Sequence, residues 1–273
     1  MSPRLLGGTA DGDGVGASFT RVLRDLEHIR DTCRLSEDRN GYFAAMYGRV
    51  TAGMALRASA GRFADAERME EFVARFAHRY TDAFWARAAG QPTTSAWALA
   101  FDTARTQQPL VLQHLLLGMN AHINLDLGIV VAELAEHRSL PLDDVKGDFD
   151  AVNDVLSELV DRCQAAVVAG SPALAAADVL LGEHDEAATR FSLRVARAGA
   201  WEFAESWTRT PSSDRPALVT ARDESVADVG RRLLTSGGAV HTAQRLVRLL
   251  ENTPVADVID RLAVVDVGEP GPG

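Results

Sequence analysis

PLVLQHLLLGMNAHINLDLGIVVAELAEH, residues 109–137, is the longest apolar run in the chain, and its reading decides the fold. Aliphatic side chains fill it, yet His114, Asn120, His122, Asn124 and Asp126 stand in its middle. The run is long enough to span a bilayer, but those polar groups would sit near the centre of the hydrocarbon, where each is expensive. It therefore predicts a helix of a soluble protein. Pro109 suits the first turn, where its missing N–H costs nothing. A helix that is apolar all round is normally enclosed by other helices. Its polar groups are then buried and must find partners.

Outward from that run, apolar residues recur at helical spacing, and alternating stretches of β-branched residues are scarce. The spacing predicts helices over 18–34, 40–60, 64–89, 94–107, 109–137, 147–170, 183–208, 217–236 and 240–252. Asp65 and Glu67 acidify the first turn of the third. Breaks such as GQPTTS (90–95), SLPLDD (139–144) and AGSPA (169–173) separate the elements. None is long enough for an interdomain linker, and no repeat of solenoid period is visible. The expectation is an all-α, single-domain helical bundle around a long, buried central helix. A flexible tail is expected over 1–16, the helical domain over 17–255, and a partly disordered C-terminal tail over 256–273.

The bulk numbers narrow the function. Hydrophobic residues make up 47% and charged residues 24%, the balance of a soluble globular protein. The net charge of -10 argues against nucleic acid or an anionic membrane as partner. Lys146 is the single lysine and lies in the polar stretch DDVKGD, so Schiff-base chemistry is not expected. Cys33 and Cys163 form no CxxC pair, which removes a disulfide framework and a cysteine zinc knuckle. The N-terminal stretch lacks the apolar core of a signal peptide, and a cytoplasmic location is expected. No GxSxG elbow, Walker A loop, HExxH or strand-linked GxGxxG is present.

On a wheel of 100° per residue with His114 at zero, His122 falls at about 80° and Asp126 at about 120°. Asn120 and Asn124 fall near about 240° and 280°, on another side. His122 and Asp126, at i and i+4, can converge on one water or one metal, or form a proton-transfer pair. Joining His114 to them requires Gly118 to open space between the turns. The spacing alone carries little. Seven histidines and 38 acids in 273 residues give about one His-x-x-x-acid pair by chance, and the chain has two, the second being His78/Asp82. The bland reading is that all five groups merely bond neighbouring helices. A His/His/Asp sector inside an apolar helix weighs against it, because ionisable groups in unusual surroundings gather at functional sites.

Three other helices carry polar residues among apolar ones. YFAAMYGRVT (42–51) holds Tyr47, a possible proton donor or an ordinary core tyrosine. DFDAVNDVLSELV (148–160) offers Asp154 as a second carboxylate. RFSLRVARAGAWEFAESW (190–207) sets Arg197 one turn before Trp201, where its fork suits an anionic ligand or a salt bridge to the acids of 148–154.

The stretch HLLLGMNAHINLDLGIVVA (114–132) resembles a largely bacterial domain family of unknown function, the one numbered 5995. The likeness extends to YFAAMYGRVT, to FADAERMEEFVARFAHRY (63–80), to the aromatic pair of SAWALAF (95–101), to DFDAVNDVL and to RVARAGAW. It implies one shared soluble helical domain and brings no activity, cofactor or catalytic residues. From the residues we expect a small-molecule enzyme, a cofactor-independent acid/base cyclase, isomerase or lyase acting on an apolar or mixed-polarity metabolite, as in specialised metabolism. His122 serves as acid/base tuned by Asp126, with Asn120, Asn124 and Arg197 stabilising negative charge and Tyr47 as auxiliary donor. His114, Asp154 and Trp201 are the expected substrate contacts. Two alternatives stay open. One is a metal-dependent hydrolase or oxygen-activating enzyme with a divalent ion on His122, Asp126 and His114. The other is a non-catalytic ligand-binding or structural helical protein.

Overall fold

Helix α1 (Ala17–Leu35) buries Phe19, Val22, Leu26, Ile29 and Cys33, a stripe at spacings of three and four that turns towards α2 (Gly41–Ser59) and α3 (Ala66–Ala88). The computed structural model describes residues 16–63, 65–106, 109–152, 193–235 and 253–266. Among these there is no strand, and the fold is all-α. The remaining elements are α4 (Ser95–Thr103), α5 (Val111–Met119), a π-helical turn (Asn120–Asp126), α6 (Leu127–His137), α7 (Leu193–Arg209), α8 (Arg215–Leu234) and α9 (Val255–Ala263). A short 3-10 turn (Leu142–Val145) runs into a helical stretch at 146–152. The expected 240–252 helix, the expected 1–16 tail apart from Gly16, most of 147–170 and the start of 183–208 lie outside the described residues.

Local chemistry sets the ends. The Asp65 side chain accepts the Arg68 N–H at 2.8 Å and caps α3. Gly61 and Gly90, at φ +70 and +72, turn the chain after α2 and α3 in the left-handed conformation that glycine adopts without a Cβ clash. Helix α4 is capped from a distance. Asp223 on α8 accepts the N–H groups of Ser95 (2.6 Å) and Ala96 (2.9 Å).

The expected central helix is present, long and buried. From Val111 to His137 it is apolar enough by length and composition to cross a membrane, and 94% of that apolar window is buried within the fold. Helices α2, α3, α4, α7 and α8 surround it. It is not one uniform α-helix, however. The seven residues NAHINLD form a π-helical turn in which the Leu127 N–H reaches the His122 carbonyl, five residues back.

The expected C-terminal tail also needs correction. Residues Val255–Ala263 form α9, which packs on α1 and α2 through Val255, Ile259 and Leu262. Arg34 pairs with Asp260 (2.6 Å), and Arg49 on α2 donates to the Val265 carbonyl at 2.9 Å. A helix this short is marginal by itself, so packing rather than propensity stabilises it. For that reason its three-residue stripe was indistinct in the sequence.

Candidate functional site

The π turn carries the polar residues, and its side chains separate into groups with different partners. His122 Nδ1 lies 3.3 Å from Asp126 Oδ2, and both side chains are buried. Asp126 also accepts the Trp97 indole N–H from α4 at 2.9 Å and the Arg79 Nε–H from α3 at 3.2 Å. The carboxylate is thus met by donors from three segments of the chain. As an acceptor it places the imidazole proton on Nδ1 and leaves Nε2 with its lone pair. Among the described residues, Nε2 has no hydrogen-bond partner.

The ring around that lone pair is aromatic. Phe76 stacks on His122 with centroids 3.6 Å apart and planes 9° from parallel, and Tyr47 meets it edge-on at 4.7 Å. Phe43, Trp97 and Tyr80 complete the box at 5.9 to 6.4 Å. Burial lowers the pKa of His122 below 6.5, while the bond and charge of Asp126 oppose the shift. Burial first, then the charge of Asp126, pushes the Tyr47 hydroxyl well above its ordinary range. Tyr47 is therefore gathered at His122 as expected, though as a reluctant proton donor.

The asparagines are not gathered there. Asn120 donates to the Val226 carbonyl on α8 at 2.9 Å, and Asn124 donates to the Asn120 side-chain oxygen at 2.9 Å. Arg222 of α8 donates to the Asn124 carbonyl at 2.8 Å. These bonds tie the widened turn to α8 and correct the expectation that the amides stabilise charge beside His122.

His114 also leaves the expected sector. A wheel of constant pitch fails across the π turn, because the wider turn changes the angular relation between residues on its two sides. Space beside Gly118 is filled by the Phe43 ring, since a Cβ at Gly118 would lie 2.5 Å from Phe43 Cδ2. His114 instead lines a narrow cleft, with room for about one water, with Arg39, Asn40, Tyr80, Trp97 and Phe101. His122 and Asp126 do not line that cleft. Phe43, Tyr80 and Trp97 stand between, touching His122 on one side and the cleft on the other.

Arg197 and Trp201 belong to a separate cluster. Buried Arg197 donates from Nη2 to the Phe149 carbonyl at 2.7 Å and lies 4.5 Å from the Phe149 ring centre. Its Nε and Nη1 have no partner among the described residues, and burial pushes its pKa down to about 10. Trp201 donates to Glu205 at 3.0 Å and packs on Phe149 at 5.1 Å. Neither residue joins His122, because α7 presents them to the chain around residue 149. Asp154 lies outside the described residues. His78 and Asp82 are exposed on α3.

Among the described residues, no three His, Cys, Asp or Glu side chains are grouped as a metal-ligand set. The trio His114, His122 and Asp126 does not converge, and both Asp126 oxygens already accept N–H donors. Sequence reasoning missed Trp97, Arg79, Phe76 and Tyr80. Aromatics at intervals of four on α3 and α4 read as plain core, and nothing local to them signals a carboxylate across the bundle.

A family model described as a family of unknown function (DUF5995) matches residues 19–236. No curated protein and no solved structure matches the chain.

Proposed function

The chain belongs to the family of unknown function DUF5995, and from that premise we propose that it is a small-molecule enzyme performing acid/base chemistry without a cofactor. The observation that carries this reading is the Nε2 of His122, without a partner among the described residues, on an imidazole held by Asp126 in a buried aromatic box. A buried acceptor without a partner costs about 1–3 kcal/mol. A phenylalanine or leucine would fill the same box without that cost. The lowered pKa keeps the ring neutral at neutral pH, which a general base requires. π-Helical turns are also frequent at functional sites.

In this reading a metabolite enters from the cleft, and displacement of the Phe43 ring brings it to Nε2. His122 takes a proton from carbon or oxygen of the substrate and returns it elsewhere, giving an isomerisation, cyclisation or elimination. Asp126 stabilises the imidazolium that forms between the two transfers. Burial of the central helix supports a soluble molecule rather than a membrane-spanning one.

The test is a comparison of metabolite extracts incubated with the protein and with His122→Gln, followed by mass spectrometry. The expected result is a metabolite consumed by the protein alone, with a product of equal mass or one lighter by a small neutral molecule. A folded His122→Gln protein that converts the same metabolite at the same rate overturns the reading. A second reading is favoured by one observation, that His122 and Asp126 do not line the cleft beside His114. There the protein binds a ligand without turnover, and His122/Asp126 serves only to join α3, α4 and the central helix.

A further inference from the structure

One side chain couples the buried dyad to solvent. His122 and Asp126 are both buried, whereas Arg79, which donates to Asp126 Oδ1 from Nε at 3.2 Å, keeps 32% of its side chain exposed. Trp97, buried on α4, donates to Asp126 Oδ2 at 2.9 Å. His122 Nδ1 meets that same oxygen at 3.3 Å, so the imidazole makes the longest of the three contacts to one carboxylate.

A carboxylate beside a buried histidine ordinarily favours the imidazolium, because the proton on the ring balances the negative charge. Here that balance is already met. Arg79 supplies the positive charge, and the Trp97 dipole takes up part of the oxygen that Nδ1–H would otherwise hold alone. A proton on Nε2 would then leave the aromatic box with a surplus positive charge, which burial penalises. Burial lowers the pKa of His122 most, and the charge of Arg79 lowers it further against the bond and charge of Asp126.

The other groups facing the π turn leave this balance intact. Tyr47 from α2 and Tyr80 from α3 are phenols whose protons burial holds firmly. Half-buried Glu133 on α6 is pushed up by burial, and Arg79 and Arg75 pull it down. Arg222 from α8 is bound to the Asn124 carbonyl, Arg197 from α7 to the Phe149 carbonyl, and His114 from α5 lines the separate cleft.

We infer that Arg79 and Trp97 are positioning residues that keep His122 neutral, by sharing the Asp126 carboxylate that would otherwise favour its protonation. This role rests on the acid/base reading for its purpose, since a base acts only when unprotonated. It is nevertheless measurable without turnover.

The full chain is labelled with isotopic histidine, and the ring nitrogens of His122 are followed by NMR as the pH falls. His122→Gln identifies their signals. Arg79→Met, at a partly exposed position, removes the charge and keeps most of the stem; its His122 is expected to take up a proton at a pH about one unit higher than in the native chain. Arg79→Lys returns a charge at similar reach and is expected to titrate near the native chain. Trp97→Phe keeps a flat ring and loses the N–H, with an expected rise of about half a pH unit. A purely structural arginine would lower the unfolding midpoint and leave the titration where it was, and that result overturns the inference. So does a lysine variant shifted as far as the methionine one, or a His122 that stays neutral in Arg79→Met over the whole folded range. Failure of the acid/base reading leaves a shifted titration standing, and an unmoved titration leaves that reading to the metabolite comparison.

Discussion

The Nδ1 of His122 and the indole Nε1 of Trp97 share one acceptor, Oδ2 of Asp126, at 3.3 and 2.9 Å. With Arg79 on the other oxygen, one carboxylate joins α3, α4 and the π turn. Removing it strands an indole N–H and an imidazole N–H and leaves the partly exposed Arg79 guanidinium without its acceptor. Asp126→Ala is expected to cost about 3–5 kcal/mol, the usual loss when one partner of a buried charged pair is deleted. Asp126→Asn keeps an acceptor oxygen but turns an amide NH₂ towards one of the donors, and about 2 kcal/mol is expected. Denaturant midpoints measure both; a loss below about 1 kcal/mol for the alanine variant shows that the bundle does not depend on this junction.

The same burial makes His122 a source of acid sensitivity. Its folded pKa lies below the unfolded value of 6.5. Above 6.5 the imidazole is neutral in both states and contributes no pH dependence. Between 6.5 and the lower folded value, the unfolded chain holds a proton that the folded chain does not, so stability falls as the pH falls. The slope in that window approaches about 1.4 kcal/mol per pH unit, and it vanishes below the folded pKa. His122→Gln is expected to remove this component. Unfolding free energies of both proteins between about pH 7 and pH 5 check it, and parallel curves would refute it.

Some of this was legible in the sequence, and the reason differs residue by residue. The run 109–137 announced a buried helix because its polar residues were few and its apolar ones continuous. The pairing of His122 with Asp126 followed from i, i+4 spacing, which survives in the widened turn. The π turn itself was not legible: it depends on Arg222 and Val226 of α8 taking up Asn124 and Asn120, contacts about a hundred residues distant. The cleft was hidden for a similar cause. Arg39, Tyr80, Trp97 and His114 come from four separate segments, and the first three each read as an ordinary rim or core residue.

Glycines on two helices give opposite expectations for the same substitution. Nothing stands within 4 Å of a Cβ built on Gly48 in α2. Gly48→Ala is therefore expected to stabilise the protein by about 0.5–1 kcal/mol, the helix-propensity difference. A Cβ on Gly128 in α6 would lie 2.5 Å from the Ala200 backbone oxygen and 3.1 Å from Phe203. The crossing of α6 and α7 must widen to admit it, and Gly128→Ala is expected to cost about 1–3 kcal/mol despite its better propensity. Thermal or denaturant unfolding of the two variants side by side gives the signs; a stable Gly128→Ala would show that α7 shifts freely over α6.

Arg197 is buried with one good bond, Nη2 to the Phe149 carbonyl, and two N–H groups that have no partner among the described residues. A buried charge so incompletely met contributes little net stability, because the desolvation cost offsets the single hydrogen bond and the contact with the Phe149 ring. An apolar side chain of similar length keeps the packing of the stem and removes the charge. Arg197→Met is therefore expected to lie within about 1 kcal/mol of the native protein, or above it. Arg197→Ala loses the stem as well and is expected to cost about 2–3 kcal/mol. If the methionine variant is as unstable as the alanine variant, the guanidinium rather than its stem holds α7 to the chain around Phe149. The arginine would then return to consideration as a group positioned for an anion.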